Sequence, residues 1–415
     1  MPKVVGKNRA RLERDLAENR GTDAEELQQL WAEHRRACPF EKIAGPEAAE
    51  LLGAQRGAYA AAAGAELYVA WAHDDVARVM RDADHFMKPG PGGPFNNTIL
   101  AMNGEEHRKY RELVKDAFAP AAVERWEHTL IRPLMHSLVD AFTSAGRADL
   151  VRDYTSHFPF HVIRVLLGIP EDQHDEFVGL AFPQENSEHG SGFDTAWERK
   201  VETFLDPHLA AARTREVGDD LLTLLVHAEL DGRRLTDEEL YKFLVLLTPA
   251  GADTTFAGAS TMFLGLLSNP DQLELVRENR TLLARAADEA LRWHNSAASS
   301  FLRIATADTE VHGCPVSNGT VVAAHVSSHN RDELRYPDPD RYDINRPVRP
   351  RGIFGYGPHA CLGMHIARSE MKVSLDVALD RLPNLRLDPD APAPYVRSGV
   401  GFFPSPAYLH VVFDA

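Results

Sequence analysis

Apolar residues along this chain repeat with two periods, and the stretches where both periods fail are as informative as the repeats. Leu362, Ile366, Ser369, Val373 and Val377 recur three or four residues apart, the spacing of one helical face. A longer helical pattern opens at Thr236-Asp237-Glu238-Glu239, where threonine followed three residues later by glutamate is a capping box. It runs to about Leu267, ahead of Asn269-Pro270, and at 1.5 Å per residue would be roughly 48 Å long. Residues 121–235 read as helical throughout, with breaks at Gly168-Ile169-Pro170, around Gly190-Ser191-Gly192 and at Gly232. Residues 22–54 read as helical pieces ending near Gly53. Glu66 to Trp71 is strand-like, and His73-Asp74-Asp75 opens a short helix over Val76 to Met80. Glu310 to Gly313 and Thr320 to Val326 read as strands of one small sheet, and a strand-rich tail carries Val400 to Phe403.

Between Phe86 and Asn103 neither period survives, because Pro89, Gly90, Pro91, Gly92, Gly93 and Pro94 break any helix. Phe86, Met87, Phe95, Ile99, Leu100 and Met102 are scattered through it. A long breaker-rich loop with apolar side chains is either a floppy surface segment or the wall of a binding site. The helix opening at Gly104 then carries His107 and Arg111 four residues apart, so both project from one face.

With 415 residues, 44% of them hydrophobic, the chain can bury a large core. It has no Gly/Ser run, charge block or repeat that would mark a linker, so residues 1–415 are expected to form a single domain. Cys38, Cys314 and Cys361 are too far apart in sequence for a clustered zinc pattern, and nothing suggests a disulfide framework, which suits a reducing cytoplasm. Met1 to Arg36 is charged and holds no apolar run that could be a signal or membrane span. A formal net charge of −16 argues against non-specific nucleic-acid binding.

The densest chemistry is Phe354-Gly355-Tyr356-Gly357-Pro358-His359-Ala360-Cys361-Leu362-Gly363. A lone cysteine is more often a small buried hydrophobe than a ligand. This one precedes a helical pattern, where unpaired N–H groups and the positive end of the macrodipole favour thiolate, a soft ligand for a transition metal. The spacing Phe354-x-x-Gly357-x-His359-x-Cys361-x-Gly363 resembles the haem-binding loop of the cytochrome P-450 superfamily, with histidine where arginine is frequent. The resemblance makes Cys361 the proximal thiolate of a haem iron, Phe354 a shield over the sulfur, and Gly363 a position where the helix lies close to the porphyrin.

Further motifs follow in the family's order. His107 and Arg111 fit its His-x-x-x-Arg pair beside a haem propionate; Arg303 stands at its second propionate position, and His359 offers another donor. Thr248-Pro249-Ala250-Gly251-Ala252-Asp253-Thr254-Thr255 matches its oxygen-site segment, in which an acid–alcohol pair delivers protons. Gly251 with Pro249 would let the helix bulge and leave room beside it, although Pro249 stands where the family usually has a small or apolar residue. Glu289, Arg292 and Arg346 would form a structural Glu-Arg-Arg network. Phe182 to Phe193 resembles a lid over the pocket, and Ala297, Ala298, Ser299 and Ser300 would make one wall small.

The resemblance thus implies a mainly α cytochrome P-450 fold, a large helical region with a long central helix plus a small β-rich region. It implies a soluble, bacterial-type monooxygenase holding haem b (iron protoporphyrin IX) non-covalently, since no Cys-x-x-Cys-His is present. One oxygen atom of dioxygen would enter an apolar small molecule by hydroxylation or epoxidation, with Asp253 and Thr254 relaying protons. Electrons would come from NAD(P)H through a ferredoxin or flavodoxin-type donor, to a monomer in the cytoplasm that touches neither nucleic acid nor membrane. From Arg341 to Lys372 six basic residues face two acids, a net of +4 that Arg108, Lys109 and Lys115 could extend into a docking patch for such a donor. A peroxide-driven haem-thiolate enzyme and a haem protein that only binds ligand are the alternatives; the intact acid–alcohol pair counts against both.

Overall fold

The computed structural model describes residues 24–43, 67–89, 95, 98–181, 195–218, 220–294, 300–347, 352–394, 396–399 and 402–415. Residues 182–193, 295–299 and 349–351, and with them the predicted lid and most of the small-residue wall, lie outside them. The N-terminal part begins with helix α1 (Ala24–Ala37), followed by strand β1 (Phe40–Ile43) where helical pieces were expected. Phe40 and Ile43 are both buried against the sheet, and this packing overrides the helical reading of the stretch. Strand β2 (Leu67–Ala70) and helix α2 (His73–Arg81) fall where the pattern put them.

A short strand β3 (Phe86–Met87) opens the breaker-rich stretch, and helix α3 (Gly104–Lys115) closes it. Asn103 ties the two ends together, accepting from the Lys88 amide at 2.9 Å and donating to the Lys88 carbonyl at 2.9 Å. Within the stretch Phe95 and Ile99 pack on the main core, and Phe95 lies 5.9 Å from the Trp197 ring. Ile99, Ala101 and Met102 line a cleft of about 390 Å³ together with Tyr110 and Phe243 and with the polar side chains of Glu106, Thr236, Glu238, Glu239 and Lys242.

The region 121–235 is less uniformly helical than its pattern suggests. Helices Pro120–Trp126 and Arg132–Asp140 are joined by a π-helical turn at Glu127–Ile131, and α4 (Phe158–Leu166) follows a second one at Val151–Thr155. Arg147–Asp149 is a strand, recruited by pairing with His410–Val412 of the C-terminal tail. Glu229–Leu230 and Arg233–Arg234 form a hairpin around Asp231 and Gly232, both at positive φ. No local pattern in two- or three-residue strands could reveal partners hundreds of residues away.

The capping box forms as predicted: Thr236 Oγ1 accepts from the Glu239 amide at 3.3 Å, and Glu239 Oε2 accepts from the Thr236 amide at 2.7 Å. The long central helix is, however, two helices, α5 (Asp237–Ala250) and α6 (Asp253–Leu267). Pro249 has no N–H for the carbonyl four residues back. The hydroxyls of Thr248, Thr254 and Thr255 each donate to the carbonyl four residues back, a pattern that bends helices. Gly251 is glycine for a packing reason as well: a Cβ there would stand 2.3 Å from Ile163 Cδ1 of α4. The bulge reading placed open room beside Gly251; on this side the space is filled.

After α7 (Leu283–Trp293) come β4 (Phe301–Ala305), β5 (Val321–Ala324), the short helix α8 (Val326–His329) and finally α9 (Met364–Arg381). The main sheet has the order β1-β2-β5-β4-β3, with β5 parallel to β2 and the other pairs antiparallel. All four residues of β5 are buried, as expected of a central strand covered on both faces. Thr309–Val311 does not join this sheet; it pairs with Cys314–Val316 across His312 and Gly313, both at positive φ, as a two-residue hairpin requires. The main apolar core lies among the helices, where α6 packs on α7 and α9, and Tyr154 is fully buried with its hydroxyl on the Ser374 carbonyl at 3.0 Å. This arrangement brings the loop before α9, the start of α3 and β4 to one place.

Candidate active site

The loop 352–363 is built from two tight turns. Gly355 and Gly357 both have positive φ (72° and 68°), and a Cβ on Gly357 would stand 3.0 Å from Arg81 Cα and Met80 O at the end of α2. The loop then folds back so that the Cys361 amide donates to the Phe354 carbonyl at 2.6 Å. Arg111 of α3 reaches over from the other side and donates to the Ala360 carbonyl at 2.7 Å. Arg368 lies over the Phe354 ring at 4.8 Å. Cys361 is therefore held from three directions, with its side chain left accessible.

Helix α9 starts at Met364, three residues beyond the cysteine, and not immediately after it. The expected thiolate preference at a helix start is also outweighed. Enclosure by protein pushes the Cys361 thiol up, against the Gly363 N–H on the sulfur and the nearby Arg111 and Arg368, which pull it down. A coordinated metal acts in the opposite direction, because its charge stabilises the thiolate. Gly363 tells the same story from the other side. A Cβ there would meet Ile366 Cγ2 at 3.7 Å and Cys361 Sγ at 4.0 Å, so among the described residues no neighbour demands glycine.

Around this loop the structure gathers positive groups. The His107 and His359 rings lie 4.1 Å apart, and His359 interacts electrostatically with Lys88, Arg303 and Arg111 as well as His107. Burial and these neighbours lower His359 to about 2 and His107 to about 4, so both rings are neutral as they stand. Arg303, on β4 opposite Val322, is buried and lowered to about 10 by desolvation; it makes no ion pair among the described residues. Arg111 is lowered by burial too. Arg111 and Arg303, desolvated close together with no acidic partner among the described residues, suit a polyanion, and two propionates are such a group. Lys88 was not singled out from the sequence. Its signal was a basic residue immediately before the breaker run, held against α3 by Asn103.

Asp253 and Thr254 lie elsewhere, at the junction of α5 and α6. Asp253 has no hydrogen-bond or ionic partner among the described residues, and desolvation raises its carboxyl to about 6. The Thr254 hydroxyl donates to the Ala250 carbonyl at 3.1 Å. No hydrogen bond among the described residues joins either to Cys361. The expected Glu-Arg-Arg network is formed and buried: Glu289 pairs with Arg292 at 2.8 Å and with Arg346 at 3.0 Å. Several cations of the expected basic docking patch have acidic partners among the described residues. Arg368 pairs with Asp288, Lys372 with Glu127, Arg108 with Glu105, Lys109 with Asp231 and Lys115 with Glu112, while Arg349 and Arg351 lie outside the described residues.

A cysteine loop ahead of a long helix, cation-lined and set in this helical architecture, defines a haem-thiolate protein, and comparison with known proteins gives the family. Residues 188–409 match the sequence profile of cytochrome P450. Cytochrome P450-terp of a Pseudomonas species is 33% identical over 319 residues, covering 73% of this chain and 74% of its own. Nocardicin C N-oxygenase of Nocardia uniformis subsp. tsuyamanensis is 33% identical over 337 residues, covering 78% and 84%. The solved structure of the LnmA cytochrome P450 hydroxylase of Streptomyces atroolivaceus superposes with a TM-score of 0.79 at 31% identity, covering 92% of this chain and 96% of its own. The chain belongs to the cytochrome P450 family, whose members bind haem through a cysteine thiolate, and is a monooxygenase of small molecules that uses dioxygen and a redox partner. Among the described residues no helix is long and apolar enough to cross a membrane.

Proposed function

We propose that residues 1–415 form one domain that holds one haem b through Cys361 and oxygenates an apolar small molecule. Electrons arrive from NAD(P)H through a ferredoxin or flavodoxin-type donor, to a monomer in the cytoplasm. The observation that carries the reading is the convergence of an accessible thiol, set among protein atoms on several sides, with Arg111, Arg303, Lys88, His107 and His359 around one loop. Arg111 and Arg303 neutralise the propionates; His107 and His359 donate to them. Phe354 covers the sulfur side, Gly363 leaves room for the ring, and Gly251 keeps α5 and α6 against α4.

Haem held by a thiolate supplies the oxygen-activating chemistry once bound. The chain's own residues manage protons and water. Asp253, with a carboxyl near 6, takes and gives a proton close to neutral pH, which is what a relay group requires. The Thr254 hydroxyl donates its single hydrogen to Ala250; to relay, that hydrogen would turn from Ala250 towards the acceptor while the oxygen accepts a hydrogen bond from a water, which replaces the hydrogen passed on. The apolar residues of the 95–102 stretch, of which Phe95 and Ile99 pack on the main core, would give an apolar substrate its surface.

The test is spectroscopic. Reduced protein with carbon monoxide should show the strongly red-shifted Soret band of a thiolate complex, and Cys361→Ala should lose it while retaining helical circular dichroism. A histidine-type spectrum from folded wild-type protein would overturn the assignment.

A further inference from the structure

Behind the cysteine loop lies a buried imidazole that the oxygen chemistry above does not use. His329, at the end of α8, is fully buried and wedged between the two ends of the first turn of the loop. A Cβ on Gly352 would stand 2.9 Å from its ring, and its Nε2 lies 2.8 Å from the Tyr356 hydroxyl. Between those contacts runs Phe354, whose carbonyl takes the Cys361 amide.

The polarity of the contact can be assigned. Asn330 Nδ2 faces the Leu291 carbonyl of α7 at 3.5 Å, a long contact that turns its Oδ1 towards His329 Nδ1 at 3.0 Å. An amide oxygen only accepts, so Nδ1 carries the imidazole proton. Nε2 is then the acceptor, and the Tyr356 hydroxyl donates to it. Tyr356 is further fixed by the Arg81 guanidinium 4.4 Å over its ring, and His329 by stacking on His73 at 4.1 Å. Asn330 also gives its backbone carbonyl to Arg292 Nη1 at 3.1 Å. The buried Glu289–Arg292–Arg346 network is thereby joined, through Asn330 and His329, to the turn that carries Cys361.

We propose that His329 is a positioning residue for the thiolate: its hydrogen bond from Tyr356 fixes the first turn of the loop, and with it the reach of Cys361 to the haem iron. The inference rests on Cys361 being the ligand, and the wild-type carbon monoxide spectrum tests that separately. A loop freed at Tyr356 lets the sulfur drift, weakens its donation and favours the ferrous state, so the reduction potential moves positive.

Two variants isolate the bond. Tyr356→Phe removes only the hydroxyl, and His329→Gln offers an amide oxygen in place of Nε2. In haem-loaded protein, Tyr356→Phe should raise the non-thiolate share of the carbon monoxide complex several-fold and shift the reduction potential positive. In the apoprotein it should speed hydrogen exchange at the Cys361 amide, with unchanged far-ultraviolet circular dichroism. His329→Gln should restore most of both properties relative to His329→Leu. Wild-type spectrum, potential and exchange in Tyr356→Phe overturn the proposal. So does a loss of overall fold shared equally by Tyr356→Phe, His329→Gln and His329→Leu, which would make the pair packing alone.

Discussion

Asp253 is a carboxyl kept where its anion is disfavoured, and the sign of that cost is measurable. Its folded value, about 6, lies above the ordinary 3.8, so the folded protein binds the extra proton between those values. The protonated form is fully accommodated below pH about 4, and the cost of burying the anion grows as pH rises through 6. At pH 8 the cost is at most on the order of 3 kcal/mol. Asp253→Asn should therefore be more stable than wild type at pH 8, by up to about that amount, with the advantage fading below pH about 4. Denaturant midpoints at the two pH values check it; equal midpoints at both would mean the carboxyl is not desolvated. The same variant should turn over more slowly, with a larger solvent isotope effect, because an amide cannot relay a proton. Thr254→Ala should keep haem and substrate but release hydrogen peroxide in place of product. Full coupling of NAD(P)H to product in that variant would remove Thr254 from the relay. These two residues stood out in the sequence because they fall in a short contiguous segment that matches the family's Ala-Gly-x-Asp/Glu-Thr-Thr pattern. The reason for Gly251 was not, since Ile163, which fills the space beside it, lies 88 residues earlier.

At the scale of the cysteine loop, two glycines separate what the chain needs from what its cofactor needs. Gly357 has positive φ and backbone atoms of α2 3.0 Å from where a Cβ would be, and backbone cannot step aside. Gly357→Ala should cost on the order of 2 kcal/mol or more of stability even without haem. Gly363 meets nothing closer than 3.7 Å. Gly363→Ala should leave the apoprotein's stability within about 0.5 kcal/mol of wild type but lower haem affinity tenfold or more. Thermal melts of the apoprotein beside haem titrations distinguish them; a destabilised Gly363→Ala apoprotein would show that the glycine serves the fold instead. The ligand loop was legible because its spacing is contained in ten residues, and the helix after it because its apolar face repeats. The first turn of that helix was misjudged: Leu362 fits the apolar row, yet Gly363 is only half-helical and the ladder begins at Met364. Strand partners such as Arg147–Asp149 with His410–Val412 were illegible, since pairing across most of the chain leaves no mark on three residues.

Across the whole molecule, net charge and usable charge part company. The chain carries −16, and the +4 counted between Arg341 and Lys372 suggested a basic landing site for an acidic electron donor. In the folded protein three of those six cations already have carboxylates, while Arg349 and Arg351 lie outside the described residues: Arg346 faces Glu289 at 3.0 Å, Arg368 faces Asp288 at 2.9 Å and Lys372 faces Glu127 at 2.7 Å. A paired charge projects little field beyond a few ångströms, so it steers an approaching protein weakly. Arg341 is different, exposed and without an ion pair among the described residues. Electron transfer from an acidic ferredoxin should consequently depend only mildly on salt. Between about 0.01 and about 1 M salt, which shortens the Debye length from about 30 to about 3 Å, the second-order rate should fall no more than about tenfold. Arg341→Glu should slow it at low salt, and Lys372→Gln should slow it less, because it removes one charge where Arg341→Glu reverses one, and the Glu127 it leaves behind still faces Arg132 at 3.6 Å. A fall of a hundredfold or more in wild type, or a larger effect at Lys372 than at Arg341, would mean that these ion pairs open when the donor arrives. The docking surface would then be the full basic face counted from the sequence.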